Sequence, residues 1–309
     1  MRVAIYTQSG WSIGLGHAVR CGHLARELLR RGAEVSIVAD RNEPGTPYLE
    51  SAGAGWCRPM VATPCDVAVV DYMAPTLPFV RTVARNTKKT VVLVGAGWTI
   101  DRAIFDTADL LLYQTGWKAY EENPKVLSGG NYIILDPGYA AEPAATRGGD
   151  ILLVCGGGIP LGYSASLADA MSAIGLTGVL VVGPQHAEDI RVQGWQTVSR
   201  PAGLRHYQNS YHLQVGTMGM ATYEALAAGC VPIMVGRSQD HVNTAETLET
   251  LGCGRSMGLW DDILPERVAD EAAWYILHDE DRERMRATGR ALVDGKGVGR
   301  VAEAILNGS

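Results

Sequence analysis

Val215-Gly216-Thr217-Met218-Gly219-Met220-Ala221-Thr222-Tyr223-Glu224-Ala225-Leu226-Ala227-Ala228-Gly229-Cys230-Val231-Pro232 reads as one strand–helix–strand unit. A strand ends in the Gly216-Thr217 turn, a helix opens at about Gly219, Gly229 closes it, and Val231-Pro232 begins the next strand. A helical crossover of this kind joins parallel strands. The start of such a helix leaves N–H groups unpaired at the positive end of the dipole, where a diphosphate can be held. Glu224, one turn further on, is placed to accept hydrogen bonds from ribose hydroxyls. An ordinary βαβ unit with Glu224 as a solvated helix residue fits the same letters.

The pattern repeats outward from this block. Residues 151–155, 178–182, 211–215 and 231–235 read as strands, with helices near 161–175, 219–228 and 241–251. In the first half, 2–7, 34–39, 66–71, 89–94 and 109–113 read as buried strands. A helix from His17 to Arg31 carries Cys21, Leu24, Ala25 and Leu28 at helical spacing, and Gly32 ends it. A stretch rich in Pro, Gly and Ala near 136–150 interrupts the alternation. The expected organisation is α/β: a Rossmann-like domain over 1–140, a linker over 141–150, and a second Rossmann-like domain over 151–309 with a helical tail. Parallel sheets carry ligand loops at the carboxyl ends of their strands, and a small-molecule site between two such domains is expected.

Composition narrows the classes. The chain has 309 residues and a net charge of −6, with a balanced first half and the whole deficit in the second. No basic face for nucleic acid is legible, and a balanced total is compatible with a local patch. The six Cys form no CxxC pair and sit mostly in apolar runs, as buried reduced thiols do. The opening Met1-Arg2-Val3-Ala4-Ile5-Tyr6-Thr7 is a strand and not a signal-peptide core. No apolar run reaches the roughly 18 residues of a membrane span. A cytoplasmic protein is expected. No cluster of side chains has metal-ligand spacing; Asp279-Glu280-Asp281 lies between helical stretches and reads as a solvated helix start.

The loop after the first strand, Gln8-Ser9-Gly10-Trp11-Ser12-Ile13-Gly14-Leu15-Gly16-His17, runs straight into the first helix. Gly14 and Gly16 permit a tight turn and close approach to a ligand. At a helix N-terminus, unpaired N–H groups favour the neutral imidazole of His17, the form a general base needs. A dinucleotide-binding loop is the rival reading, with Asp40 as its acid, but Val19 stands where its third Gly belongs. His17 as a purely structural residue also fits.

Gly14-Leu15-Gly16-His17-Ala18-Val19-Arg20-Cys21, followed by Leu24-Ala25, resembles the opening of the PseG/SpsG family. That family includes the UDP-sugar hydrolase of pseudaminic acid synthesis and is related to the MurG-type GT-B glycosyltransferases. The resemblance runs in order through roughly residues 1–257 and implies a GT-B fold with His17 as base. It makes the 215–232 block the donor strand–helix–strand, with Thr217, Met218, Gly219 and Met220 at the phosphates and Glu224 on the ribose. Gln239, Asp240 and Asn243 match the loop facing donor sugar or phosphates, although Asp240 also suits a helix N-cap. Cys155-Gly156-Gly157-Gly158 matches a glycine turn facing the diphosphate. Asp71-Tyr72 matches a strand end on the substrate side, where Gly14, Gly16 and Arg20 also fall. Trp11 and Trp98, at strand ends, suit stacking on a sugar or acceptor, or a half-buried core position.

Three departures bear on the reaction. Gly95-Ala96-Gly97-Trp98 stands where family members carry an acidic pair, the interdomain segment lacks the family's Arg and Pro-Glu-Phe, and Gly158-Ile159-Pro160 replaces a Ser/Thr-Asp. These favour transfer over the family's hydrolysis. The expected activity is inverting, metal-independent transfer from a UDP-sugar co-substrate, with no other cofactor. The acceptor is left open among small molecules, glycans, lipid carriers and a modified nucleobase. A water-using hydrolase, a silent nucleotide-sugar binder and an NAD-linked oxidoreductase remain as alternatives.

Overall fold

Val3 and Ile5 of the first strand enter one apolar cluster, while Ala4 and Tyr6 enter another. Side chains alternate across a strand, so a strand apolar at every position must be covered on both faces. The computed structural model describes residues 1–10, 13–57, 64–94, 101–113, 123–143, 147–156, 159–183, 190–199, 201 and 203–307. It meets that requirement twice, in two compact units.

The first unit holds β1 (Arg2–Thr7), α1 (Gly16–Arg30), β2 (Glu34–Val38), α2 (Thr46–Glu50), β3 (Gly55–Cys57), β4 (Cys65–Asp71), α3 (Leu77–Ala84), β5 (Thr87–Val94), α4 (Arg102–Thr107), β6 (Leu110–Tyr113) and β7 (Val126–Ser128). Its sheet runs β3-β2-β1-β4-β5-β6-β7, parallel throughout. Ala18, Leu24 and Leu28 of α1 cover one face, and Val80 and Ile104 of α3 and α4 the other. The strand order reverses between β1 and β4, which makes the carboxyl ends of these two strands the switch point.

The second unit holds β8 (Gly149–Cys155), α5 (Leu161–Ala173), β9 (Gly178–Val182), β10 (Gln196–Ser199), α6 (Arg205–Ser210), β11 (Tyr211–Thr217), α7 (Met220–Ala228), β12 (Val231–Gly236), α8 (Gln239–Thr250), β13 (Arg255–Leu259), α9 (Pro265–Leu277) and α10 (Asp279–Leu292). The sheet order is β10-β9-β8-β11-β12-β13, again all parallel, with its switch point between β8 and β11. Ile151, Leu153 and Cys155 face one cluster, and Leu152 and Val154 the opposite one. No helix among the described residues is long and apolar enough to cross a membrane.

Two boundaries differ from the sequence expectation. The units are Met1–Pro137 with Gly295–Ser309, and Gly138–Asp294, so the last part of the tail belongs to the first unit. The final helix α11 (Gly297–Leu306) buries Val298, Val301, Ala302 and Ile305 in the cluster shared with α1. Lys89 Nζ of β5 donates to Ala304 O at 2.8 Å and Ile305 O at 3.3 Å, a cation meeting the carbonyl end of that helix. The linker expected over 141–150 already contains the second sheet, since Gly149 and Asp150 open β8. Arg147 is anchored as well, donating to Gln208 O at 2.6 Å and Ala228 O at 2.7 Å. The short strands β3, β7, β10 and β13 escaped the sequence reading. Most of their residues are half-exposed, so they lack the apolar run that marks a buried strand. Asp279, Glu280 and Asp281 form the acidic first turn of α10, a favourable place for negative charge.

Candidate active site

Each unit places candidate residues at its own switch point, and the second places a further group after β12. In the first, β1 leads into a loop that closes on itself: Gly14 N–H donates to Gly10 O at 2.7 Å and Gly10 N–H to Gly14 O at 3.3 Å. Gly14 has φ +89°, a left-handed conformation that favours glycine. Gly16 begins α1 and His17 is its second residue. Trp11 and Trp98 lie outside the described residues.

His17 and Arg20, three residues apart on α1, meet Asp71 at the end of β4. His17 Nδ1 lies 2.8 Å from Asp71 Oδ1, while Arg20 donates from Nε to Oδ2 at 2.7 Å and from Nη2 to Oδ1 at 2.5 Å. Asp71 is wholly buried and Arg20 is 5% exposed. Burial by itself would raise the Asp71 carboxyl, but the neighbouring charges of Arg20 and His17 outweigh it and hold the group below the usual carboxylate range. The Cys21 thiol donates to Asp71 Oδ2 at 3.2 Å, and burial, followed by the Asp71 charge, pushes its pKa up. Asp71 is therefore an ionised carboxylate with every neighbour a donor. His17 Nδ1 also lies 2.9 Å from Arg20 Nη2, which can only donate, so its tautomer decides between the two contacts; with the proton on Nδ1, donating to Asp71, Nε2 carries the free lone pair of the ring.

This geometry changes two of the expected placements. Asp71 and Arg20 were expected on the substrate side; their polar atoms are instead buried against each other and against His17. Tyr72, the next residue, is half-buried with its ring edge-on to Phe79 at 5.1 Å. Its phenol is pushed up to about 12, by burial first and then by Glu43.

Glu43, which sequence reasoning missed, fastens the start of the loop. Its Oε2 accepts from Ser9 N–H at 2.6 Å and Ser9 Oγ at 3.1 Å, and Ser9 Oγ accepts from Gly45 N–H at 2.9 Å. Gly45 is required there, because a Cβ would stand 2.4 Å from that of Ala18. No local pattern signals a contact spanning 34 residues. Asp40, the acid of the dinucleotide reading, is exposed and accepts from Asn42 N–H at 2.9 Å in its own turn.

In the second unit, Gly156 follows β8 and Thr217 ends β11, and Gly156 N–H donates to Thr217 Oγ1 at 2.8 Å. Gly157 lies outside the described residues. Gly216 lets the two strands approach, since a Cβ there would meet Val154 O at 1.8 Å. Met218, expected at the phosphates, is 4% exposed and its N–H donates to Val235 O at 2.9 Å, so it packs β11 against β12. Gly219 is the N-cap of α7, its backbone extended at φ 170°; a Cβ there would meet nothing within 4 Å among the described residues. Met220 and Ala221 begin the helix with N–H groups that have no earlier carbonyl to bond. Thr222, Tyr223, Ala225, Leu226, Ala227 and Ala228 are buried, whereas Met220 and Glu224 share the partly open face.

Gln239, Asp240 and Asn243 lie in the first two turns of α8, all exposed, with Gln239 Nε2 donating to Asn243 Oδ1 at 2.9 Å. Asp240 is not the N-cap; that position is Ser238. His241 beside them has Nδ1 buried, and burial, then the Arg237 charge, lowers its pKa.

Two Rossmann-like units of parallel β/α construction make this a GT-B fold. Solved glycosyltransferases match it across nearly their whole length: CalG4, the calicheamicin glycosyltransferase, at TM-score 0.71 and 16% identity over 98% of this chain and 97% of that one. MurG of Acinetobacter baumannii matches at TM-score 0.67 and 13% identity over 99% of each chain. The spinosyn rhamnosyltransferase SpnG matches at TM-score 0.69 and 14% identity over 98% and 100%. At these identities the likeness is one of fold. No protein-family model matches the chain. In sequence, the spore coat polysaccharide biosynthesis protein SpsG of Bacillus subtilis (strain 168) is 22% identical over 343 residues, 99% of this chain and 98% of that protein. The chain is thus similar to SpsG over nearly the whole length of both.

Proposed function

We propose that the chain is a nucleotide-sugar-dependent glycosyltransferase in which His17 is the general base and the start of α7 holds the donor diphosphate. The observation that carries this reading is the 2.8 Å contact of His17 Nδ1 with the buried Asp71 carboxylate. Nε2 takes the proton of an acceptor hydroxyl as its oxygen bonds to the anomeric carbon; the bond from that carbon to the diphosphate oxygen breaks, and the nucleotide departs with the electron pair. Attack from the face opposite the leaving group inverts the anomeric centre. The imidazolium formed is stabilised by Asp71, which Arg20 keeps ionised. Negative charge grows on the leaving diphosphate, where helix N–H groups and dipole are most effective. Glu224, on the same open face as Met220, accepts from the ribose hydroxyls; Gly156 gives room beside the phosphates; Gln239, Asp240 and Asn243 contact the donor sugar. UDP is the nucleotide favoured by the PseG/SpsG likeness, and SpnG, of the same fold, has been solved with thymidine diphosphate.

A second reading uses water as acceptor, because the same His17–Asp71 pair activates water equally well. The test follows UDP and free sugar from a panel of UDP-sugars without acceptor, for the wild type and His17→Ala. UDP binding with little turnover, followed by rapid UDP release on adding an acceptor, supports transfer. Free sugar at enzymatic rates, abolished in His17→Ala, replaces transfer by hydrolysis. Turnover retained in His17→Ala removes this residue from either mechanism.

A further inference from the structure

Behind the open face of α7 lies a buried polar network outside the chemistry above. Tyr139 is 4% exposed, Gln208 0% and Gln214 2%. Tyr139 Oη donates to Gln208 Oε1 at 2.6 Å, and Gln208 Nε2 donates to Gln214 Oε1 at 2.8 Å. Both amides then converge on one atom: Gln208 Nε2 donates to Ala221 O at 3.0 Å and Gln214 Nε2 donates to it at 3.1 Å. Ala221 is the second residue of α7.

We infer that Tyr139, through Gln208 and Gln214, is a positioning residue for the phosphate-facing turn of α7, a conclusion that rests on the nucleotide reading of that turn. A helix is ordinarily fixed at its start by a side-chain oxygen at the N-cap. Gly219 has none; Thr222 Oγ1 accepts its N–H at a long 3.3 Å. The fixing point is instead a carbonyl on the buried side, held by two amides whose own geometry is set by Tyr139. An apolar trio would fill this space without any unpaired-group penalty, whereas hydrogen bonds add direction. Tyr139 belongs to the turn Pro137–Ala140, where the chain enters the second unit, so the entry segment is tied to the turn that would hold the diphosphate.

The test titrates the full chain with UDP and with uridine, which lacks the phosphates, for the wild type, Tyr139→Phe and Gln208→Leu. The expected result is UDP affinity three- to tenfold weaker in both variants, the scale of one neutral hydrogen bond, with uridine affinity unchanged. Equal UDP affinity in the folded variants overturns the inference. A wild type that binds no UDP overturns the nucleotide reading itself. Independently of any ligand, amide hydrogen exchange in Tyr139→Phe is expected to quicken at residues 220–223; quickening spread evenly over the second unit would reduce the network to packing and overturn the positioning role.

Discussion

His17 Nδ1 and Asp71 Oδ1 stand 2.8 Å apart although 54 residues separate them in the chain. β1 and β4 are neighbours in the sheet, with Thr7 opposite Asp71, so the residue ending β4 faces the helix that follows β1. The pair therefore follows from strand order, and its chemistry from burial.

Asp71→Asn should lower turnover by about 10²- to 10⁴-fold, because the neutral amide no longer selects the productive tautomer or stabilises the imidazolium. UDP affinity should stay within about twofold of wild type. The Asp71→Asn, His17→Ala double variant should be no slower than His17→Ala alone, since the two act as a unit. Steady-state rates and isothermal titration check this, and additive losses would separate the residues. Removing one partner of a buried pair also leaves Arg20 uncompensated, so Asp71→Asn should lose about 3 kcal/mol of stability in denaturant unfolding.

Gly219→Ala and Glu224→Ala test the nucleotide turn. The added methyl at Gly219 meets no neighbour among the described residues, and the backbone there suits any residue, so folding stability should change by less than about 1 kcal/mol. The same methyl would stand in the space a diphosphate needs, and UDP affinity should fall by about 1–3 kcal/mol. Glu224→Ala should weaken UDP by roughly 1.5–3 kcal/mol, the scale of a hydrogen bond to a charged group. Unaltered titrations would return both positions to an ordinary crossover helix.

His23 predicts an acid-sensitive first unit. Burial, then the Arg26 charge, lowers its pKa to about 4, and Arg26 Nη2 donates to the unprotonated Nδ1 at 2.6 Å. Between pH 6.5 and 4 the unfolded chain binds this proton more readily than the folded one, so stability rises with pH across that window and is complete above it. His23→Asn keeps an acceptor for Arg26 and should flatten the pH dependence by on the order of 2 kcal/mol. Denaturant midpoints at pH 4.5 and 7 measure it; equal slopes in both proteins would remove His23 as the cause.

Ile305→Ala should destabilise the first unit, although the residue lies at the far end of the chain. Its side chain is wholly buried in the cluster shared with α1, and truncation there should cost about 2–5 kcal/mol. Hydrogen exchange should quicken in α1 and β5 and stay unchanged in β11 and α7. The reverse pattern would assign α11 to the second unit.

The alternation of apolar strands and amphipathic helices, read from the chain alone, determined two parallel α/β units. So did the limits of α1 and the βαβ block at 215–232, where Gly229 takes φ +70° to end its helix. These are local properties: periodicity, breakers and helix ends act over a few residues. The short strands β3, β7, β10 and β13 were invisible because half-exposed strands need no apolar run. The assignment of α11 to the first unit depended on packing against residues almost 300 positions earlier. The surroundings of Asp71 and Arg20 were likewise decided only in three dimensions. Sequence placed both near the site; the structure buries their polar atoms against each other and against His17. Met218 moved for the same reason, its N–H claimed by Val235 on the neighbouring strand. A residue's chemistry depends on its charge environment and on which partner takes its hydrogen bonds. Both are set by strand order and side-chain packing over long sequence separations, where sequence spacing carries no signal.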